Sequence, residues 1–404
     1  MTRDTSFLPY GRHQIDDDDI KAVIAVLKSD FLTTGPAVQD FENALAEKTG
    51  AQHAVACSSA TAALHLAALA LGLGPGDTVI VPSITFLATA NAVRYVGADV
   101  VFADVDADTG LMGPDNLSQA IELGGENVKA VFLVHLGGQS PDMAGISAVA
   151  RKHGVAIVED ASHAIGGSYA TPDGEKIVGK CADSDLTVFS FHPVKTVTMG
   201  EGGAITTGDA ALAERLRLFR NHGMTRDASN FAHHDMAFDK QNAVLANPWY
   251  YEMQEIGFNY RASDIHCALG LSQLSKLTKF VEHRRTLAKL YDKLLAPLAP
   301  TLRPVTRMPG GRPAWHLYQI LIDFDSAGLS RATLMSQLLD KGVGTQVHYI
   351  PVHQQPYYQR LYGKQSLPGV ERFYGRCLSL PLFPGMLESN VYQVTEHIQT
   401  LLVD

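Results

Sequence analysis

Cysteine is scarce: Cys57, Cys181, Cys267 and Cys377 are the only four in 404 residues. They form no C-x-x-C pair for metal or redox work and are too few for a disulfide scaffold, so they read as reduced packing residues. A surplus of positive charge is also missing. With 33 Lys plus Arg against 42 Asp plus Glu the net charge is -9, which excludes a general attraction to nucleic acid or anionic membranes. Any phosphate must be met locally. No uncharged apolar run reaches the roughly 18 residues needed to span a bilayer, and Met1 to Gln14 lacks the apolar stretch of a signal peptide, so the expected location is cytoplasmic. Fixed-period repeats and low-complexity tracts are absent. What is present is ordinary for a large folded enzyme: 46% hydrophobic and 19% charged residues, in a length that suggests two or three domains at ~150 residues each.

Short apolar runs alternate with helical patterns from about residue 52 to 206: His53–Cys57, Thr78–Pro82, Val100–Val105, Val128–His135, Val155–Asp160, Leu186–Phe191 and Ala204–Thr207. This alternation predicts an α/β domain with a mostly parallel sheet. Ahead of it, Ile20, Val23, Ile24 and Leu27 share helical spacing behind Asp16-Asp17-Asp18-Asp19. Four consecutive carboxylates suit a metal, but they equally suit a helix start, where acidic residues cap and meet the dipole. Residues 221–255 read as a long connection. Ser263-Asp264 then caps a helix running towards Leu295, and a Pro- and Gly-rich break leads to a smaller α+β unit with strands near Leu317–Asp323 and Val343–His348 and helices near Ser330–Lys341 and Glu388–Leu402. The expected division is a large domain over 1–260 and a linking helix with a small domain over 261–404.

Three segments carry chemistry. Cys57-Ser58-Ser59-Ala60-Thr61 turns an apolar strand into a helix through small and hydroxylated residues, which makes an anion site of the helix start. Taken singly, such residues cap helices everywhere. Glu159 and Asp160 end an apolar strand, and His163 follows within Ala161–Gly167; the carboxyl ends of parallel strands line ligand crevices, although a turn acid and a core histidine would look the same. Lys195 follows a strand and Pro193 and precedes Gly200-Glu201-Gly202-Gly203. That constrains its loop, and burial there would lower the amine pKa from about 10.4 towards a useful nucleophile. In this order the parts are a phosphate anchor, a carboxylate for a pyridinium nitrogen and a lysine for an aldehyde, which together suit pyridoxal 5'-phosphate.

The same order resembles the fold-type-I aminotransferases, and within them the DegT/DnrJ/EryC1/StrS sugar aminotransferases. Further matching stretches are Asp30–Pro36, Gly72–Asp77, Pro82–Phe86, Gly138-Gln139 and Gly257-Phe258-Asn259-Tyr260-Arg261, so the likeness covers nearly the whole chain. The narrower branch of the pseudaminic acid route is the best match, on Pro9-Tyr10-Gly11-Arg12, Ser59-Ala60-Thr61, Asp160–Gly167 with His163 where many relatives have Gln, and Phe191–Lys195.

The resemblance implies roles. Lys195 would carry the cofactor aldehyde and later move protons. Asp160 would pair with the pyridine nitrogen, His163 would lie near the phenolic oxygen, and Phe86 would stack on the ring. Ala60, Thr61 and Ser190 would hold the phosphate, with Asn259 reaching it from the neighbouring subunit of a homodimer. Tyr10, Thr33, Arg261 and His348 would contact substrate. L-glutamate would supply the amine, and the 4-keto group of a UDP-linked 6-deoxy-2-acetamido sugar would take it. No metal is implied. Another nucleotide-linked keto-sugar and a catalytically silent cofactor-binding protein are the alternatives.

Overall fold

The apolar runs between residues 53 and 207 pair into one seven-stranded sheet, seen in a computed structural model that describes residues 7–242 and 244–403. Named by first residue, the strands lie in the order 53, 203, 186, 156, 128, 78, 99. Gly203–Thr207 runs antiparallel to both its neighbours, His53–Cys57 and Leu186–Ser190. All other pairings are parallel. The fold is therefore the expected α/β class with a mostly parallel sheet, and its strands are mainly apolar because helices cover both faces.

The acidic run at the amino end is a helix cap. Asp16 accepts from the amides of Asp18 and Asp19, and the Asp19 carboxylate returns a bond to the Asp16 amide. Asp19 is buried, accepts from Ser272 and Gln273, and pairs with Lys276 at 2.9 Å. Among the described residues no group of three or more His, Cys, Asp or Glu could hold a metal ion. Ile20, Ile24 and Leu27 on the same helix lie open to solvent in the single chain.

The helix expected to run on to Leu295 is two helices, Asp264–Ser275 and Leu277–Leu295. They part at Lys276, whose amide closes on Gln273 and Leu274. The first packs on helices Asp17–Leu27 and Pro36–Thr49, the second on the carboxyl-terminal helix Glu388–Val403. A three-stranded antiparallel sheet follows, with Tyr318–Ile322 between Leu302–Pro304 and Cys377–Leu380. The expected strand at Val343–His348 does not form. That segment makes only single bridges, from Val343 to Leu8 and from Gln346 to Ser379 on the outer edge of Cys377–Leu380. The amino-terminal segment joins this region too: the Leu8 amide donates to Gly342, the Gly344 amide to Leu8, and the Leu382 amide to Tyr10. All four cysteines are free; three are buried and Cys181 is half-buried. No helix among the described residues is long and apolar enough to cross a membrane.

Candidate active site

The carboxyl ends of the strands at Val134, Asp160 and Ser190, the start of helix Ala60–Ala70 and the segment 346–350 enclose a cavity of about 500 Å³. This is where an open α/β sheet gathers its ligands. At one end Ser59 caps the helix: its hydroxyl accepts from the Ala62 amide and its carbonyl from the Ala63 amide. The amides of Ala60 and Thr61 belong to the first turn, where no helical carbonyl can reach them, and both residues line the cavity. Gly203 stands against this turn so closely that a Cβ there would lie 2.3 Å from the Ser59 carbonyl carbon and 2.5 Å from the Ala60 nitrogen. Gly203 also pairs with Ser190, which brings that hydroxyl-bearing residue alongside the helix start. The result is a cradle of backbone amides and hydroxyls suited to a phosphate.

Asp160 ends strand Ala156–Asp160 with both carboxylate oxygens engaged. Oδ2 accepts from Thr89 Oγ1 at 2.7 Å, and Oδ1 accepts from the hydroxyl of Ser162 at 2.6 Å and its amide at 3.2 Å. Since Thr89 gives its hydrogen to the carboxylate, it accepts in turn from Thr85, 2.7 Å away. Lys195 lies in the turn after Pro193, its amide donating to His192. Burial of its side chain pushes the ammonium down to about 8, and the Asp160 charge works against that fall. Some of this amine is free near neutral pH, as attack on a carbonyl requires.

His163 is buried, and burial, then the neighbouring cationic Lys195, hold its imidazole well below the ordinary histidine range. Nδ1 accepts from the Gly137 amide at 3.2 Å, and Nε2 lies 3.0 Å from the Tyr349 hydroxyl. The ring meets His316 at 4.5 Å. The turn that supplies Gly137 needs glycine: a Cβ on Gly138, at φ +99°, would fall 2.7 Å from the Trp315 nitrogen and 2.8 Å from the His163 carbonyl oxygen. His348 is bonded to Ser379 at 2.8 Å, packs on Tyr10 at 5.4 Å, and is pushed down to about 3 by burial. Phe86, 56% exposed, borders the same cavity.

Tyr10, Ala60, Thr61, Phe86, Asp160, His163, Ser190, Lys195 and His348 thus line one cavity. Thr33, Asn259 and Arg261 do not line it within a single chain. Thr33 bridges Ser263, Asn259 bridges Asn221, and Arg261 donates to Asn221 Oδ1 at 2.6 Å beside a separate pocket. Sequence reasoning assigned no role to Thr85, Thr89, Ser162 and His316, and it reached Tyr349 only as part of the segment His348–His353 expected to line a sugar cleft. Ser162 was visible as a hydroxyl two residues after Asp160, and Tyr349 sat next to His348, but Thr89 reaches Asp160 across 71 positions and left no local signal.

The family model of the DegT/DnrJ/EryC1/StrS aminotransferases matches residues 13–399. The chain belongs to this family. It is a pyridoxal phosphate-dependent sugar aminotransferase. Similar proteins agree over nearly full length. The spore coat polysaccharide biosynthesis protein SpsC of Bacillus subtilis is 39% identical, with 98% of this chain and 97% of SpsC covered. Helicobacter pylori PseC, an aminotransferase involved in the biosynthesis of pseudaminic acid, superposes with a TM-score of 0.87 at 31% identity over 98% of this chain and 99% of its own. DesI, solved in the presence of its TDP-sugar product, superposes with a TM-score of 0.84 at 31% identity, covering 98% and 93%. The groups lining the enzyme's cavity fit the cofactor: the crowding at Gly203 leaves the helix start bare for a phosphate, and a buried carboxylate and a lysine of lowered pKa share the same space.

Proposed function

We propose that the enzyme moves an amino group from L-glutamate to the 4-keto group of a UDP-linked 6-deoxy-2-acetamido sugar, as in the pseudaminic acid route. The observation carrying the reaction type is that one cavity joins the bare helix start at Ala60, the doubly held Asp160 and the low-pKa Lys195. Pyridoxal phosphate supplies an aldehyde that takes up amino groups and a ring that withdraws electrons when protonated. Ala60, Thr61 and Ser190 hold its phosphate, and Phe86 covers its ring. Asp160, fixed in direction by Thr89 and Ser162, would hold the ring nitrogen and its proton. Lys195 would hold the cofactor's aldehyde and, with its amine free, could take up and return a proton as base and then acid. Tyr10 and His348 line the side on which the sugar enters.

The active unit in this reading is a homodimer. Ile20, Ile24, Leu27, Phe31 and Leu32 leave one exposed apolar surface, and Trp249, Tyr251, Met253 and Ile256 another. A second copy covers such surfaces best, since lone soluble chains rarely leave large apolar patches bare. The same assembly gives Thr33, Asn259 and Arg261 a site to serve, namely the partner's. The narrower substrate rests on the likeness to PseC. A second reading, a dTDP-linked keto-sugar, draws on DesI at the same 31% identity.

Purified enzyme, loaded with cofactor and supplied with glutamate, tests both in a panel of UDP- and dTDP-linked keto-sugars. Product from the UDP-linked 4-keto-6-deoxy-2-acetamido sugar of the L-altrose series is the expected result. Efficient turnover of a dTDP-keto-sugar with none of that ketone overturns the narrower assignment. Borohydride trapping of the cofactor on a lysine other than Lys195 overturns the site.

A further inference from the structure

The hydrogen bonds around His163 have a direction, and the direction ends in the cavity. A backbone N–H can only donate, so His163 Nδ1, 3.2 Å from the Gly137 nitrogen, is the accepting side of the ring. Burial keeps this imidazole uncharged. A neutral imidazole that accepts at Nδ1 carries its single proton on Nε2. Nε2 lies 3.0 Å from the Tyr349 hydroxyl, whose oxygen is therefore the acceptor of that bond. The phenol's own hydrogen must leave in another direction. His163 is the hydroxyl's one protein partner among the described residues, and Tyr349 lines the cavity with Asp160, Lys195 and Phe86. Burial, then the nearby Asp160 charge, hold the phenol far above its ordinary range, so the hydrogen stays in place at working pH.

We propose that Tyr349 donates a hydrogen bond to an electron-rich oxygen of the ligand held in this cavity, with Gly137 and His163 as positioning groups that fix the donor's direction. This rests on the reading that pyridoxal phosphate occupies the cavity. On it, Tyr349 rather than His163 meets the ligand oxygen, because the one proton His163 can give is already committed. Two oxygens share this chemistry: the phenolic oxygen of the cofactor, and a carboxylate or hydroxyl oxygen of the substrate.

Tyr349→Phe in the cofactor-loaded enzyme tests it, after cofactor content has been measured on both proteins. In one arm the absorption band of the bound cofactor is titrated with pH in the absence of substrates; a midpoint moved by about half a unit or more identifies the cofactor's oxygen. In the other, single-turnover half-reactions are followed with glutamate and with keto-sugar separately. About a tenfold rise in apparent Kd for one of them, with the resting titration unmoved, identifies a substrate oxygen, since a hydrogen bond to a charged group accounts for a factor of that size. Either result supports the proposal. Where Tyr349→Phe does not fold, 3,5-difluorotyrosine at position 349 keeps the ring and strengthens the donor, and the affected arm moves the opposite way. Loaded protein in which neither arm moves on either change overturns the proposal alone. Failure of the unaltered chain to take up the cofactor overturns the reading beneath it.

Discussion

Glu159 and Asp160 are neighbours on one strand and point to opposite sides of it. Glu159 is sealed within the protein: Oε2 meets His135 Nε2 at 2.7 Å, Oε1 accepts from Thr187 and Ser184, and His135 is tied in turn to Ser140. Asp160 is held by three donors as well, yet it borders the cavity. Burial alone would raise the Glu159 carboxyl, but its hydrogen bonds and the charge of His135 outweigh that and hold it below the usual carboxylate range. Both carboxylates are thus made rigid by the same means, one to hold the fold and the other to meet a ligand. A row of hydrogen bonds does not by itself tell the two purposes apart; the side of the strand does.

Breaking Asp160 gives the largest effect. Asp160→Asn keeps the shape and removes the charge, and turnover should fall about a hundredfold or more, the rate equivalent of a few kcal/mol in the transition state. Cofactor content, measured by absorbance, should remain near one per chain because the phosphate cradle is untouched. Near-normal turnover would assign the electron-withdrawing role elsewhere.

Glu159→Gln should show the converse. It weakens the bonds that His135, Thr187 and Ser184 make to a buried carboxylate, at a cost of about 2 kcal/mol in stability, read as an earlier midpoint in urea. Activity per folded molecule should change little. A variant that unfolds normally but loses turnover would erase the distinction between the two carboxylates.

Thr89→Val sharpens the contrast by removing one support from Asp160. The loss of a hydrogen bond to a charged group, about 2 kcal/mol at most, should appear as roughly a tenfold fall in kcat with KM for the sugar unchanged. A fall in thermal stability without a kinetic effect would move Thr89 into the group of purely structural contacts.

A separate effect, on stability rather than turnover, concerns Lys195 in the cofactor-free protein. Its ammonium is lowered to about 8 from an ordinary 10.5, so between these values the unfolded chain binds more protons than the folded one. Stability of the unaltered protein should rise with pH across that window. Lys195→Met should therefore raise the melting temperature near pH 7, with a gain that shrinks as pH climbs from 8 towards 10.5. A gain independent of pH would mean that the lysine is well solvated.

Much of this was legible in the sequence. Alternating apolar runs announced the sheet, and Ala60-Thr61, Asp160 and Lys195 stand out because each lies where a strand ends and the chain must turn. At residues 343–348 Val343 and Val347 favour a strand, but the segment meets the outer edge of Cys377–Leu380 only at the single bridge from Gln346 to Ser379 and is bridged to Leu8 at Val343. Thr89 was invisible since nothing within its own helix explains a hydroxyl facing inward. Thr33, Asn259 and Arg261 were readable by resemblance only. In the single chain they sit apart from the cavity, tied to Ser263 and Asn221.

The tie between the first residues and the last third of the chain bears on how the enzyme is made. Tyr10 lines the cavity while its carbonyl is held by Leu382, and Leu8 is pinned between Gly342 and Gly344. A ribosome releases Lys195, Asp160 and the helix start long before it releases residue 382. Ala60, Asp160 and Lys195 thus leave the ribosome well before the residue that anchors Tyr10 at the cavity does. A product stalled or clipped before residue 382 would keep those three groups and lose the anchor that brings Tyr10 to them.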